Sequence, residues 1–196
     1  MKLLGNKSKG RVFVVSAPAG TGKTTLVQRL VKEFPEIVAS ISYTTRLPRQ
    51  GEANGKDYYF LDEAAFEEKI AAGEFLEFVR LYGTYYGTSR KWLEEQLSLG
   101  KHVVLVIDTQ GAKLLRAQIP IVSIFIHPPS VSELQRRLYS RGTETQSALE
   151  ERLKVVKQEL EAAALYDYEI INDDLEIAYQ VLRSVFIAEE HRVREV

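Results

Sequence analysis

The sequence contains no cysteine, which excludes a disulfide framework and a thiolate-bound zinc site. Its formal net charge is only −1, so no bulk positive charge draws it to nucleic acid or to an anionic membrane surface. No apolar run is long enough to span a bilayer and no stretch reads as a signal peptide, so the expected compartment is the cytoplasm, without a membrane partner. Internal repeats and low-complexity segments are also missing. Histidine is scarce: His102, His127 and His191 fall outside the motifs below, and packing or surface roles are expected for them. What remains is a 196-residue chain of ordinary hydrophobic and charged content. That length suits one α/β domain with a real core, with room for small inserted lobes.

The most informative stretch is Ser16-Ala17-Pro18-Ala19-Gly20-Thr21-Gly22-Lys23-Thr24-Thr25. It follows the apolar run Val12–Val15 and precedes a helical pattern at Leu26, Val27, Leu30 and Val31. Strand, glycine-rich turn and helix form the context of a phosphate loop. Glycines let backbone N–H groups converge on an anion, and the helix adds its positive end. In such a loop Lys23 reaches the β- and γ-phosphates of a nucleoside triphosphate, and Thr24 offers its hydroxyl to Mg²⁺. One position departs from the strict pattern, since Ala17 stands at the first glycine.

Read in order, Arg11–Ser16 is apolar on both faces, as a central parallel strand is. Lys23–Glu33 is a helix stopped by Pro35, and Glu36–Tyr43 returns as one strand. Residues 40–90 form a β-rich insert dense in tyrosine. Its expected strands are Tyr58–Leu61, Phe75–Leu81 and Tyr85-Tyr86, and Asp62 caps a short helix. The main chain resumes with the helix Arg90–Ser98. Strands follow at His102–Ile107, Ile121–Ile126 and Tyr168–Ile171. Helices run over Gln110–Gln118, from Ser130 to about residue 139, from Ser147 to about residue 165, and from Leu175 to about residue 187. Strands separated by helices imply a parallel sheet covered on both faces. Ligands then sit at the carboxyl ends of the strands, where the phosphate loop, Asp108 and Asn172 fall.

A phosphate loop alone fits switch proteins, motors and small-molecule kinases. The next signal is Ser42-Tyr43-Thr44-Thr45-Arg46-Leu47-Pro48-Arg49-Gln50-Gly51-Glu52. Arg46 and Arg49 are either a solvated basic loop or a fork for a second phosphate. With Gly55-Lys56-Asp57-Tyr58, Glu74-Phe75-Leu76-Glu77, Tyr85-Tyr86-Gly87-Thr88, Ile107-Asp108-Thr109-Gln110-Gly111, Pro128-Pro129-Ser130, Arg141-Gly142-Thr143-Glu144 and Asn172-Asp173-Asp174, the sequence resembles the guanylate kinases. The resemblance runs from about Arg11 to about Ile187.

The resemblance implies the three-layer α/β/α fold of the P-loop nucleoside triphosphatases, with a five-stranded parallel core sheet. A β-rich nucleotide-monophosphate insert and a helical lid complete it. It divides the chain into a core of residues 10–40, 90–136 and 153–190, an insert of 41–89 and a lid of 137–152. It implies transfer of the ATP γ-phosphate to GMP or dGMP, with Mg²⁺ at Thr24. Residue by residue, it places Arg46, Arg49, Tyr58 and Tyr86 on the GMP phosphate. Ser42, Glu77 and Thr88 fall at or near the guanine, with Asp108 on the same substrate. The backbone of Ala17, Pro18, Ala19, Gly20, Thr21, Gly22, Thr24 and Thr25, with Lys23, takes the ATP phosphates. Arg137, Arg141 and Arg152 resemble the lid arginines that close on the transferring group; Arg137 and Arg141 face ATP and Arg152 faces GMP. Asn172 falls near the adenine. Val106 stands where the family usually has an aspartate, so one of two carboxylates on that strand face is missing.

The chemistry is consistent with these residues. A phosphate acceptor is already largely ionised near neutral pH, with a second pKa of about 6, and needs no general base. It needs charge neutralisation, for which Lys23 and the arginines are the available cations. Glu77 is either a surface glutamate beside Phe75 and Phe78 or a reader of guanine, whose N1–H and N2–H₂ are adjacent donors for a carboxylate. Two other readings use the same motifs. A kinase for another phosphorylated acceptor, such as a ribose bisphosphate, would not need Ser42 and Glu77 facing a purine. A non-catalytic phosphopeptide-binding module would not need Gly20, Gly22, Lys23 and Thr24 intact.

Overall fold

The computed structural model describes residues 10–81, 83–140 and 155–193, and the side chains of 137–140 are outside that description. Two sheets divide the chain. The first has five parallel strands in the order β2-β7-β1-β8-β9, namely β1 (Val12–Ser16), β2 (Ile37–Ala39), β7 (His102–Val106), β8 (Val122–His127) and β9 (Tyr168–Ile171). The second has four strands in the order β4-β3-β6-β5, with β3 (Tyr43–Thr44), β4 (Tyr59–Phe60), β5 (Phe75–Leu81) and β6 (Thr84–Ser89).

Alternation along β1 builds the two faces of the core. Phe13 and Val15 point to one face, where they meet Leu26 and Leu30 of α1 (Lys23–Glu33) and Leu182 and Phe186 of α7 (Leu175–His191). The Phe13 and Phe186 rings stack at 3.8 Å. Val12 and Val14 point to the other face, against Leu93 of α3 (Arg90–Ser98) and Leu115 of α4 (Thr109–Arg116). All five β1 residues are buried, as a strand covered on both sides must be. Helix α5 (Val131–Ser140) and helix α6 (residues 155–162) follow β8, and Leu134 and Val156 pack with Ala19 of the phosphate loop. No helix among the described residues is long and apolar enough to cross a membrane.

Glu36–Tyr43 is not one strand. It breaks at residues 40–42, so that β2 pairs with β7 in the core sheet and β3 pairs with β6 in the second sheet. Alternation gives no information about which sheet a residue joins, and a corner between sheets leaves no mark on it. The corner is held on both sides: Ser40 N–H donates to Val104 O at 2.9 Å, and Tyr59 N–H donates to Ser42 O at 2.9 Å. Ser42 therefore sits where the two sheets meet. In the second sheet Phe66 of α2 (Glu63–Ala71) is wholly buried and stacks on Phe75 and Tyr85. Asp62 caps that helix through Ala65 N–H.

Candidate active site

The phosphate loop leaves β1 and enters α1. Gly20 and Gly22 both have φ of 91°, a left-handed conformation that costs a side chain dearly and glycine little. At Gly22 space is also short, because a Cβ there would lie 2.7 Å from Nδ2 of Asn172. The loop is braced from within and behind. Thr21, fully buried, donates its hydroxyl to Pro18 O at 2.8 Å, and Asn172 Nδ2 donates to Thr21 O at 2.6 Å. Lys23 folds over the loop and donates to Ala17 O at 2.5 Å and Pro18 O at 3.3 Å. Thr24 is exposed at the head of α1.

The second sheet contributes the opposing groups. Glu77 on β5 pairs across the ladder with Thr88 on β6, and a register shift between Phe75 and Glu77 marks a bulge. Phe75, Leu76 and Glu77 are buried in succession, which strict alternation forbids and a bulge permits. Glu77 is thereby turned inward, 5% exposed, and accepts the Thr88 hydroxyl at 2.6 Å. Arg46 lies over the Tyr58 ring at 5.2 Å, and Tyr58 meets Tyr86 edge to face. The Arg46 guanidinium forks onto Glu52 with two bonds of 2.9 Å, and Arg49 N–H donates to the same carboxylate at 2.7 Å. Glu52 thus fixes the orientation of the two-arginine loop.

Loop, corner and insert line one cavity of about 340 Å³. Gly20, Lys23 and Thr24 line it together with Ser42, Arg46, Arg49, Tyr58, Tyr86, Glu77 and Asp108. Asp108, the N-cap of α4, accepts from Gln110 N–H at 2.7 Å and Gly111 N–H at 2.8 Å. Burial pushes the Glu77 carboxyl up to about 7; the Thr88 hydrogen bond opposes this and the Asp108 charge adds to it. Burial also raises Asp108, against the pull of its two N–H donors and of Lys23. A carboxylate has only acceptors, and among the described residues no cation stands against Glu77. The cavity therefore matches a ligand that brings two adjacent N–H donors at one end and phosphate at the other.

Several sequence-predicted residues do not line this cavity. Pro18, Thr21 and Gly22 shape the loop around it, Thr25 is exposed in the first turn of α1, and Thr88 donates its hydroxyl to Glu77. The resemblance puts Asn172 near adenine; here its amide is spent on the loop backbone, and it is 4% exposed. Arg141 and Arg152, and the side chain of Arg137, lie outside the described residues. Val106 lines the cavity and also packs on the core. Residues without an assigned role in the sequence reading also take part: Glu52 as the partner of Arg46, and Val156 and Glu159 as cavity lining from α6. Glu52 closes the Arg-x-Pro-Arg-x-Gly-Glu stretch, six residues from Arg46, and that spacing was its only signal.

The family model described as guanylate kinase matches residues 9–189. The chain is 63% identical over 193 residues to a guanylate kinase of Protochlamydia amoebophila, covering 98% of each chain. It is 55% identical over 183 residues to a guanylate kinase of Chlamydia pneumoniae, covering 93% of this chain and 89% of that one. The crystal structure of guanylate kinase from Anaplasma phagocytophilum superposes with a TM-score of 0.81 at 36% identity, over 95% of this chain and 89% of that one.

Proposed function

The chain belongs to the guanylate kinase family and phosphorylates GMP; we infer that ATP is the donor and that dGMP is accepted too. One observation carries the assignment to this site: the phosphate-loop lysine and a buried carboxylate with no cation against it among the described residues line the same cavity, with Arg46 and Arg49 beside them. The loop amides and Lys23 hold the donor phosphates. Arg46, Arg49, Tyr58 and Tyr86 hold the acceptor phosphate, and Arg46 exchanges its fork on Glu52 for a fork on the substrate. Ser42 donates to guanine O6, and Glu77 with Asp108 accepts from N1–H and N2–H₂. GMP and dGMP share both the base edge and the phosphate, so this set serves both.

No residue is required to remove a proton from an ionised phosphate. The protein's work is to bring two anions together and to exclude water. Mg²⁺ fits the loop: Thr24 offers an exposed hydroxyl in the cavity, and the ion would take most of its ligands from phosphates and water. When bound it neutralises charge on the β- and γ-oxygens. Asn172 supports ATP binding by holding the loop, and Arg137, Arg141 and Arg152 close over the transferred group as a lid of residues 137–152 on a core of 10–40, 90–136 and 153–190, facing an insert of 41–89. The cytoplasm is the compartment that supplies both nucleotides.

A coupled assay of ADP release tests the reading, with GMP, dGMP, AMP, UMP and ribose phosphates as acceptors. GMP and dGMP are expected to be used, with AMP disfavoured by about 10⁴-fold. A ribose phosphate used as well as GMP would replace guanine recognition with the ribose bisphosphate reading.

A further inference from the structure

Gly111 is the third residue of α4, and its φ is not in the left-handed region that favours glycine. The backbone there asks nothing of glycine, and glycine in a helix is less favourable than alanine. The local environment explains its presence. A Cβ at position 111 would lie 2.9 Å from Oε2 of Glu77, 3.5 Å from its Cδ and 3.4 Å from Cδ1 of Ile107.

Neither partner in this contact is free to retreat without loss. The other Glu77 oxygen, Oε1, is held by the Thr88 hydroxyl at 2.6 Å. Helix α4 is fixed at both ends: Asp108 caps it through Gln110 and Gly111, and Gln118 Nε2, just beyond it, donates to Leu76 O at 3.0 Å. Leu76 is the residue before Glu77, so the helix is tied to the very segment of β5 that carries the carboxylate. The atom nearest the added methyl is the end of a flexible side chain, so the methyl moves the carboxylate and leaves the fold in place.

We propose that Gly111 is the positioning residue for guanine recognition: the missing side chain on α4 seats the Glu77 carboxylate at the depth where it meets the purine edge. The proposal rests on the reading of Glu77 as the guanine acceptor. It makes base choice depend on a core helix that itself offers no side chain to the base at that point.

The test is Gly111→Ala beside Glu77→Gln and the double variant. kcat/KM is measured for GMP and AMP, ATP-analogue binding by calorimetry, and Tm in each case. Gly111→Ala is expected to raise KM for GMP about 10²-fold, the cost of an ångström-scale misplacement. kcat should change less than KM, the preference for GMP over AMP should shrink, and ATP affinity and Tm should not fall. In the Glu77→Gln background the same methyl should add little, because coupled residues are non-additive. If Glu77→Gln keeps full discrimination, the guanine reading itself is wrong. If Glu77→Gln loses discrimination and Gly111→Ala does not, or if the two losses simply add, the Gly111 proposal alone is overturned. A fall in Tm with equal loss of ATP and GMP binding would make Gly111 a packing residue and overturn it as well.

Discussion

Each end of the parallel sheet withdraws a pair of acidic side chains from water, and the two pairs meet different partners. At the amino ends of the strands, Glu189 and Glu190 of α7 are 2% and 1% exposed. Glu189 accepts from Arg11 at 2.9 Å and from the Tyr168 hydroxyl at 2.6 Å, and Glu190 lies 2.7 Å from Nε2 of His102. At the carboxyl ends, Glu77 has one hydroxyl donor and Asp108 two backbone donors. Glu189 is answered by a cation and a phenol of the chain itself, and Glu190 faces an imidazole whose pKa burial holds down. The second pair is left to be answered by a ligand, and burial has pushed both carboxyls upward. A buried carboxylate whose partners the chain supplies belongs to the fold, whereas one with acceptor capacity open to a cavity is a candidate binding group. Changes at the amino end should therefore cost stability, and changes at the carboxyl end should cost activity.

The largest expected effect is at the carboxyl end. Lys23→Ala should cost roughly 10³-fold or more in kcat, as the loss of a preorganised charge on the transferring group does. Its Tm should not fall, because the lysine's bonds to Ala17 O and Pro18 O are made at the cavity surface. Steady-state turnover and a thermal melt on one preparation decide it. Near-normal turnover would remove the loop as donor site, and a collapsed melt would show that this end carries the fold too.

The mirror experiment is Glu189→Gln. It leaves the Arg11 charge buried without its carboxylate, and breaking such a pair costs roughly 3–5 kcal/mol. The lower end applies, since the Arg11 side chain keeps 13% of its surface. Denaturant melts should show this loss while kcat/KM for GMP at 25 °C stays within about twofold. A large kinetic defect in a stable variant would break the division between the two ends.

The sequence carried the local part of this division and missed the part that depends on distant contacts. Lys23–Glu33, Phe75–Leu81 and Arg90–Ser98 have the predicted bounds, because turn residues, caps and apolar spacing within one segment decide them. The family's motifs singled out Lys23, Ser42, Arg46, Glu77 and Asp108, and the fold brings them to one cavity. The inward turn of Glu77 was not legible, since a bulge is a mismatch between two strands and exists in neither alone. Asn172 looked like a ligand contact because it ends a strand where ligands bind, yet its amide is used 151 residues away, on Thr21. The value of Gly111 lies wholly in what packs opposite it. Nothing within their own segment marks Glu189 and Glu190; only the fold brings Arg11 and His102 to them.

A smaller effect sharpens the carboxyl-end reading. Glu77 must be ionised to accept two N–H donors, and its carboxyl sits at about 7 before ligand binds. GMP affinity should therefore fall as pH drops below about 7, by up to tenfold per unit, while ATP-analogue affinity does not follow the same curve. The second ionisation of GMP, near pH 6, adds to this slope, so the control is Glu77→Gln, which should lose only the upper part. Calorimetric titrations at half-unit steps from pH 5.5 to 8.5 would show it. An unchanged profile in the variant would mean that Glu77 does not titrate at the site.

The smallest effect sets the two ends directly against each other, through the stability of the ligand-free protein. His102 accepts the Arg11 N–H on Nδ1 at 3.1 Å, which places its own proton on Nε2, toward Glu190. Burial holds its pKa below the ordinary 6.5, with Arg11 adding to that and Glu190 and Glu36 opposing. Protonating Nδ1 would set two N–H donors against each other. The folded pKa is the lower one, so the unfolded chain takes the proton first. Stability from this group is complete above about pH 6.5 and declines as pH falls toward the folded value, by at most about 1.4 kcal/mol per unit. Glu77 has the opposite sign. Its folded pKa is raised from 4.5 to about 7, so its contribution is complete below about pH 4.5 and is lost as pH rises through 7. Just below pH 6.5 the amino end is therefore destabilised by acid while the carboxyl end is relieved by it. Melts across that window should show His102→Gln flattening the acid side of the stability curve and Glu77→Gln steepening it. If both variants tilt the curve the same way, the two ends do not differ as their partners indicate.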